Sequence, residues 1–213
     1  MSEGVMAKRI ILFGGTFDPV HLGHTAVIRH VASHLRADEV FFIPARRSPH
    51  KLDVPLAPAE HRIKMLALAT GEYPSFSISD CEISRPEPSY TFDTVMEFKT
   101  KSPDATFFWP VGADAIPSLS RWYRFKDLLN LCEICIMSRG GIDAPEFDLL
   151  APSLGQAAVD RLKKAAIATP LVPISSTEVR TRLAAGQDVS TMLHPAVLRY
   201  IRQNGLYGCR NRV

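Results

Sequence analysis

Cysteine is scarce in this 213-residue chain, which contains only four such residues. Cys81, Cys132, Cys135 and Cys209 are too few and too scattered for the disulfide framework that stabilises small secreted proteins. Cys132 and Cys135 have C-x-x-C spacing, but "CEICIM" is typical of a strand, in which positions i and i+3 point to opposite faces. We therefore expect core thiols there.

Long apolar runs are also missing. No run approaches the roughly 20 apolar residues that a membrane-spanning helix needs, and "MSEGVMAKR" lacks the basic segment and apolar core of a signal peptide. The net charge of +3 is too mild to indicate nucleic-acid binding by itself. These absences predict a cytoplasmic protein that has neither a membrane nor a nucleic acid as its partner.

What the sequence does contain is an ordinary globular composition, with 46% hydrophobic and 22% charged residues. The length allows one sizeable core, and no internal repeat or linker divides the chain. We expect a single domain over residues 1–213, with a C-terminal helical part from about residue 176.

Short β-rich segments alternate with amphipathic stretches of helical length. The expected strands are "RIILF", "EVFFIP", "FSISDCEI", "ATFFWPVG", "CEICIM" and "TPLVPI". The expected helices cover residues 24–36, 58–69, 91–101, 122–130, 157–166, 176–185 and 195–204. This alternation favours an α/β fold with an open parallel sheet, right-handed crossovers and flanking helices.

Polar clusters follow the expected strands. They are "GGTFDPVHLGH" (14–24), "ARRSPHK" (45–51), "RPEPSYT" (85–91), "GADA" (112–115) and "SSTEVR" (175–180). In an open parallel sheet, ligands bind outside the carboxyl ends of the strands, where the strand order reverses. We therefore expect these clusters to converge on one cleft.

The most informative cluster is "GGTFDPVHLGH", directly after the first strand. Gly14 and Gly15 allow a tight turn, so that successive main-chain N–H groups up to Phe17 can form an anion-binding nest at a helix entrance. The segment has neither the G-x-G-x-x-G of dinucleotide sites nor the G-K-[ST] of a P-loop. Phosphate suits this turn, although a simple strand-to-helix turn is the alternative.

His21 and His24 are three positions apart over the first helical turn, so both imidazoles can face one ligand. Their N–H groups suit phosphate oxygens. Zinc is an alternative, but H-L-G-H lacks the glutamate of H-E-x-x-H, and no third ligand lies nearby in the sequence. Two histidines with a purely structural role are the remaining alternative. We favour phosphate.

A second motif, "ISSTEVR" (174–180), combines a helix start with anion-binding groups. Ser175 precedes Glu178 by three residues, which is the spacing of a capping box. The free N–H groups and the hydroxyls of Ser176 and Thr177 can add to the helix dipole at an anion, and Arg180 supplies a charge one turn later. A helix cap and a phosphate site are compatible interpretations.

Together, these two motifs resemble the H-x-G-H and I-S-S-T-x-x-R motifs of the nucleotidyltransferase superfamily, which has a Rossmann-like sheet. Nearly the whole chain resembles one of its families, the bacterial nicotinate-nucleotide adenylyltransferases, which have segments similar to "IPARRSPHK", "EPSYTFDT", "VGADAIPSLSRWYRFKDLL" and "LHPAVLRYIRQNGLY". The resemblance implies transfer of AMP from ATP to the phosphate of nicotinate mononucleotide. The products would be deamido-NAD and pyrophosphate, in NAD biosynthesis, with Mg²⁺ accompanying ATP.

The resemblance also implies roles for particular residues. The catalytic residues would be His21, His24 and Arg180. The ATP-binding residues would be Gly14, Gly15, Thr16, Phe17, Gly112, Asp114, Ser176 and Thr177, with Gly112 and Asp114 at the ribose. Nicotinate mononucleotide would contact Trp122, Tyr123 and Thr91 through its ring and carboxylate, and His50 and Lys51 through its phosphate. No metal ligand is implied. Without the resemblance, "RWYRF" indicates an amphipathic helix start with Trp122 in the core.

Three other functions fit part of the pattern. Phosphopantetheine adenylyltransferases share the histidine and serine motifs, but their chains are shorter and lack "SLSRWYRF". A non-catalytic nucleotide-binding module would need only the phosphate motifs. A class I aminoacyl-tRNA synthetase fragment also has H-x-G-H, but this chain lacks a K-M-S-K-S-like loop. The sequence leaves open whether the chain forms a homo-oligomer.

Overall fold

A computed structural model of the protein describes residues 7–47, Pro49, 55–139 and 147–209. Its strands are β1 (Arg9–Gly15), β2 (Glu39–Pro44), β3 (Phe76–Ile78), β4 (Thr106–Gly112), β5 (Glu133–Arg139) and β6 (Ala166–Thr169). They form a six-stranded sheet in the order β3-β2-β1-β4-β5-β6. The pairs β1–β4, β4–β5 and β5–β6 are parallel, and the strand order reverses between β1 and β4. The predicted Rossmann-like open parallel sheet is confirmed.

Helices connect the strands. They are α1 (Leu22–His34), α2 (Ala59–Thr70), α3 (Cys81–Ser84), α4 (Thr91–Lys101), α5 (Ile116–Leu119), α6 (Phe125–Leu131), α7 (Ala151–Leu154), α8 (Gln156–Lys164), α9 (Ser176–Ala184) and α10 (Pro195–Gln203). Short 3-10 helices cover Ala113–Ala115, Phe147–Leu150 and Leu206–Gly208. Each predicted helix therefore corresponds to an observed one, with ends that differ by a few residues.

Three predicted elements are wrong in type or extent. "TPLVPI" is not a strand; the last strand is the preceding "AIAT" (Ala166–Thr169), and Pro170 and Pro173 cannot donate to a sheet. The strand within "FSISDCEI" stops at Ile78, and helix α3 follows it. The helix expected from residue 122 begins at Phe125, because Arg124 has a left-handed backbone with φ of 51°.

The chain divides into two compact units. The first contains the described parts of Met1–Gly14, His30–Phe41 and Tyr90–Leu171, and the second contains those of Gly15–Arg29, Phe42–Ser89 and Val172–Val213. The expectation of a single domain over the whole chain stays a prediction.

The first unit has its core around β4, β5 and β6. Arg9 pairs with Thr106, and Phe108 pairs with Glu133, so that these strands lie in continuous register. Buried side chains on these strands include Ile11, Phe107, Ile134, Ile136 and Ile167. Cys132 and Cys135 are also buried, as is Cys81 in the second unit, whereas Cys209 is partly exposed. The prediction of core thiols is confirmed.

The second unit packs α2 against β3 and α10. Its buried core includes Phe17, Phe42, Met65, Leu66 and Ile201. The ring of Phe42 lies 5.7 Å from that of Phe17 and 5.4 Å from that of Phe76, measured between ring centroids. The segment after β1 is therefore anchored in this core through Phe17.

Candidate active site

The turn after β1 is closely packed. A Cβ atom at Gly15 would lie 2.9 Å from the ring of Phe17, which is only 1% exposed and has little room to move. Phe17 has a φ of 49°, in the left-handed region. Left-handed residues occur in the nests of main-chain N–H groups that bind anions, so this geometry supports the predicted nest. In the first unit, a Cβ at Gly14 would meet the buried Trp109 ring at 2.5 Å.

His21 and His24 lie at the start of α1 with their rings stacked, 3.7 Å apart between centroids and inclined by 28°. The main-chain N–H of His21 donates a hydrogen bond of 3.2 Å to Nδ1 of His24. Because an accepting nitrogen carries no proton, the ring proton of His24 is on Nε2. A ring nitrogen that carries a proton can donate a hydrogen bond to an anion.

His21 differs from His24 in burial, because only 8% of its surface is exposed. This burial lowers the pKa of His21 to about 4, so the ring is neutral at pH 7. Its Nδ1 atom has no hydrogen-bond partner among the described residues. A Cβ at Gly23 would approach that atom to 3.0 Å, which explains why a residue without a side chain separates Leu22 from His24.

Asp18 was given no role by the sequence, yet it connects several segments of the second unit. It is 1% exposed, and its Oδ1 accepts a hydrogen bond of 2.6 Å from the hydroxyl of Tyr207 and one of 3.3 Å from the N–H of Ala57. Its other carboxylate oxygen has no hydrogen-bond partner in the described part of the chain. Burial, followed by the bond to Asp18, raises the pKa of Tyr207, which therefore stays protonated and donates.

Arg62 also contacts the turn that follows β1. The residue is 2% exposed, and its guanidinium group donates to the carbonyl oxygens of Thr16 and Ala45 at 2.8 Å and of Ala57 at 3.1 Å. Burial lowers the pKa of Arg62, and the negative charge of Asp18 opposes that effect. One side chain thus binds carbonyl groups at three loop positions.

The second motif lies at the N-terminus of α9. Ser175 accepts a hydrogen bond of 3.1 Å from the N–H of Glu178, which confirms the predicted cap. Ser176 donates to the carbonyl oxygen of Pro19 at 2.9 Å, and Arg180 donates to that of Asp18 at 2.7 Å. The structure therefore brings the two predicted phosphate motifs together within the second unit.

The remaining described candidates lie in the first unit. β4 ends at Gly112, where a Cβ atom would collide with Oδ1 of Asp114. The exposed Asp114 carboxylate therefore lies directly against the end of this strand. Substituting Gly112 by a larger residue would displace it.

Aromatic side chains surround the "RWYRF" segment of the first unit. Trp122 is partly exposed and lies edge-on to Phe125, with centroids 6.1 Å apart. Tyr123 is 49% exposed, and its ring lies 4.6 Å from that of Tyr90, the residue before Thr91 and helix α4. Part of the surface of each residue is thus exposed to solvent. His50 and Lys51 lie outside the described residues.

The described ranges contain neither a cluster of metal-ligating side chains nor a membrane-spanning helix. No group of three or more His, Cys, Asp and Glu side chains there could hold a metal ion. None of the helices in the same ranges has the length and apolar character needed to cross a membrane.

Comparison with known proteins identifies the family. A family model described as cytidylyltransferase-like matches residues 12–182. A protein of Neisseria meningitidis serogroup B named "Probable nicotinate-nucleotide adenylyltransferase" is 39% identical, over 94% of this chain and 98% of its own. The chain belongs to the nicotinate-nucleotide adenylyltransferase family. A Dehalococcoides mccartyi member with the same name is 37% identical, over 93% of this chain and 96% of its own.

Solved structures agree with this family's fold. The structure described as Plasmodium falciparum nicotinic acid mononucleotide adenylyltransferase complexed with NaAD has a TM-score of 0.74 and 21% identity, covering 95% of this chain and 98% of that one. The same parasite protein complexed with APC has a TM-score of 0.72. At this identity the likeness concerns the fold alone.

Sequence reasoning missed Asp18, Arg62 and Tyr207. Arg62 could have been noticed, because it occupies the buried face of α2 together with Met65, Leu66 and Ala69. An arginine at an apolar position of a helix indicates a specific buried partner. Asp18 and Tyr207 are 189 positions apart, and no local pattern links them.

Proposed function

We propose that this protein transfers AMP from ATP to the phosphate of nicotinate mononucleotide, with deamido-NAD and pyrophosphate as products in NAD biosynthesis. Membership of the nicotinate-nucleotide adenylyltransferase family supports the reaction. The observation that carries it is the contact of Ser176 and Arg180 with the Asp18–Pro19 segment, because it joins the two phosphate motifs into one anion-binding surface.

In this proposal the second unit binds the phosphates of ATP. The ligands are main-chain N–H groups from Gly15 to Phe17, the Nε2–H of His24, the neutral ring of His21, the N-terminus of α9 with Ser176 and Thr177, and the Arg180 guanidinium. Ser176 already donates its hydroxyl proton to Pro19. Its main-chain N–H is therefore the group that it offers to an anion.

The chemistry needs no nucleophilic side chain. An oxygen of the acceptor phosphate attacks the α-phosphorus of ATP, the bond to the β-phosphate bridging oxygen breaks, and pyrophosphate leaves with that electron pair. The protein aligns the two phosphates and stabilises the charge on the equatorial and bridging oxygens. A neutral His21 can donate a ring N–H to these oxygens without giving up a proton at neutral pH.

In the proposed reaction, Mg²⁺ accompanies ATP as part of the substrate. The proposed phosphate ligands are N–H groups, hydroxyls and a guanidinium, which suit phosphate oxygens and not a hard cation. We therefore propose that Mg²⁺ is held by the phosphate oxygens of ATP and neutralises part of their charge.

The other candidate residues are proposed to bind the nucleoside ends of the substrates and the acceptor phosphate. Gly112 and Asp114 would bind the ribose of ATP, because a carboxylate can accept from sugar hydroxyls. The partly exposed Trp122 and Tyr123 rings would contact the nicotinate ring, and the N-terminus of α4 at Thr91 would favour its carboxylate. His50 and Lys51 would neutralise the mononucleotide phosphate. A cytoplasmic location stays a prediction from the sequence.

An acceptor comparison tests this function. The protein is incubated with ATP and Mg²⁺ plus nicotinate mononucleotide, nicotinamide mononucleotide or phosphopantetheine, while pyrophosphate and the dinucleotide product are measured. We expect the highest turnover with nicotinate mononucleotide. ATP binding without pyrophosphate release would identify a binding module instead, and preferred turnover of phosphopantetheine would identify the other adenylyltransferase.

A further inference from the structure

The hydroxyl of Tyr207 reaches the phosphate-binding turn from the far end of the described chain. It donates to Oδ1 of Asp18 over 2.6 Å, a length typical of hydrogen bonds from a hydroxyl to a carboxylate. Asp18 is almost completely buried. The acceptor of this bond is therefore shielded from water that would otherwise compete with the Tyr207 hydroxyl.

The backbone around Tyr207 is arranged to aim this hydroxyl. Tyr207 has φ and ψ of 58° and 31°, a conformation that an aromatic residue rarely adopts, and Gly205 and Gly208 on either side also have positive φ. A Cβ atom at Gly208 would lie 3.7 Å from Ala184 of α9. The turn thus rests on the helix whose first residues form the second phosphate motif.

Asp18 links Tyr207 to Arg180, because its side-chain carboxylate and its main-chain carbonyl each accept a hydrogen bond. Its side chain accepts from Tyr207, while its main-chain carbonyl accepts from the Arg180 guanidinium at 2.7 Å. A shift of Asp18 would therefore move the oxygen that orients Arg180. It would also move Phe17, the preceding residue, whose main-chain N–H belongs to the proposed nest.

We propose that Tyr207 is a positioning residue for ATP: by fixing the Asp18 carboxylate, its hydroxyl keeps the Asp18 carbonyl in place and thereby orients Arg180 toward the triphosphate. This inference rests on the proposed function. Tyr207 itself touches no reacting atom in this scheme. Its removal should therefore weaken ATP use through Arg180 and leave the acceptor unaffected.

Tyr200 provides a matched control. Its hydroxyl also makes a side-chain hydrogen bond within the second unit, at 2.8 Å to Nδ1 of His61, and it is also partly buried. This bond joins α10 to α2 and contacts neither phosphate motif. Tyr200→Phe and Tyr207→Phe thus delete the same group from comparable surroundings.

A double-mutant cycle with Arg180→Ala tests the coupling. Kinetics are measured with ATP varied at saturating nicotinate mononucleotide, and then with the roles exchanged. We expect Tyr207→Phe to raise the KM for ATP by about 3- to 10-fold, less than the loss of a direct charge-assisted bond, with the acceptor KM within about twofold. In the Arg180→Ala background, Tyr207→Phe should change the ATP KM by less than about twofold. Tyr200→Phe should leave both KM values within about twofold in either background.

Several results would overturn the proposal. They are an unchanged ATP KM in Tyr207→Phe, an equal rise in both KM values, or a Tyr207→Phe effect of undiminished size in the Arg180→Ala background. If Tyr207→Phe does not fold, Asp18→Ala, which removes the acceptor of the Tyr207 hydrogen bond, should show the same ATP-specific defect. Equal defects for both substrates in Asp18→Ala would count against the proposal.

Equilibrium binding of ATP separates this inference from the proposed function. The same cycle is run by calorimetry with ATP alone, so that it needs no turnover. If the wild type binds ATP but produces no deamido-NAD, the proposed function fails, and an ATP Kd raised by Tyr207→Phe only when Arg180 is present would still support the positioning role. A wild type that does not bind ATP would overturn both.

Discussion

His21 and His24 stack at 3.7 Å, although the first is buried and the second is partly exposed. The main-chain N–H of His21 also fixes the tautomer of His24 by donating to its Nδ1. The two rings of the H-x-G-H motif thus lie in different environments. Their separate roles can be tested by pH and by substitution.

The first prediction concerns the pH dependence of stability. Burial lowers the pKa of His21 from 6.5 to about 4, so between these values the unfolded state binds a proton that the folded state does not. The free energy of unfolding should therefore fall on acidification through this window, by up to about 1.4 kcal/mol per pH unit, and should be unaffected by this group above it. Urea unfolding at several pH values measures the slope.

Two variants isolate the His21 contribution. His21→Gln cannot titrate, so its stability should decline less between pH 6.5 and pH 4 than that of the wild type. His34→Gln removes an exposed histidine from the same helix and should retain the steep decline. Equal slopes in His21→Gln and the wild type would contradict the lowered pKa.

The second prediction concerns the rate of AMP transfer. His24→Ala should fold but lose about 10²- to 10³-fold in kcat, because a preorganised donor to developing charge typically supplies that much. His21→Ala should show a milder loss. Circular dichroism checks the fold, and His34→Ala serves as a control on the same helix. Turnover near the wild-type rate in folded His24→Ala would rule out its phosphate role.

The third prediction concerns ATP affinity. Arg180→Ala should weaken ATP binding by about 10- to 150-fold, since a hydrogen bond to a charged group contributes roughly 1.5 to 3 kcal/mol. Lysine should restore only part of it, because one ammonium cannot both bind the Asp18 carbonyl and reproduce the guanidinium fork. Arg182→Ala, which loses only a surface ion pair of 2.7 Å with Glu178, is the control. If Arg180→Ala lowered the stability of the protein but left its affinity for ATP unchanged, Arg180 would have a structural role instead.

The fourth prediction concerns the acceptor. Trp122→Ala should weaken the binding of nicotinate mononucleotide by about 5- to 150-fold. This estimate is by analogy with base stacking on aromatic rings, which contributes about 1 to 3 kcal/mol. ATP binding should hardly change. If Trp122 instead supports the core, truncation should cost about 3 to 5 kcal/mol of stability and affect both substrates alike. Melting temperatures and separate titrations of the two substrates distinguish these outcomes.

Local patterns predicted the local parts of this structure. The spacing of Ser175 and Glu178 predicted the cap of α9, and the glycine turn with its two histidines predicted the entrance to α1. "TPLVPI" was misjudged because its apolar residues suggested a strand, whereas Pro170 and Pro173 remove two of the main-chain N–H groups that a strand would need as donors. The start of α6 depends on the unusual backbone of Arg124, which composition does not reveal.

Long-range contacts account for what the sequence could not predict. The Tyr207–Asp18 bond and the contacts of Arg62 with the carbonyl oxygens of Thr16 and Ala45 join segments that are distant along the chain. Neither periodicity nor capping signals carry such information, since both describe neighbours within a few residues. The same applies to the contact between the tilted rings of Tyr90 and Tyr123.

The uneven burial of the cysteines has a practical consequence. Burial raises the pKa of Cys135 to about 12 and that of Cys132 further, so neither forms the thiolate that alkylating reagents attack. Cys81 is buried as well, which leaves the partly exposed Cys209 as the accessible thiol. A maleimide fluorophore should therefore label the native protein at Cys209, two residues after Tyr207, and report on the C-terminal turn without any engineered substitution.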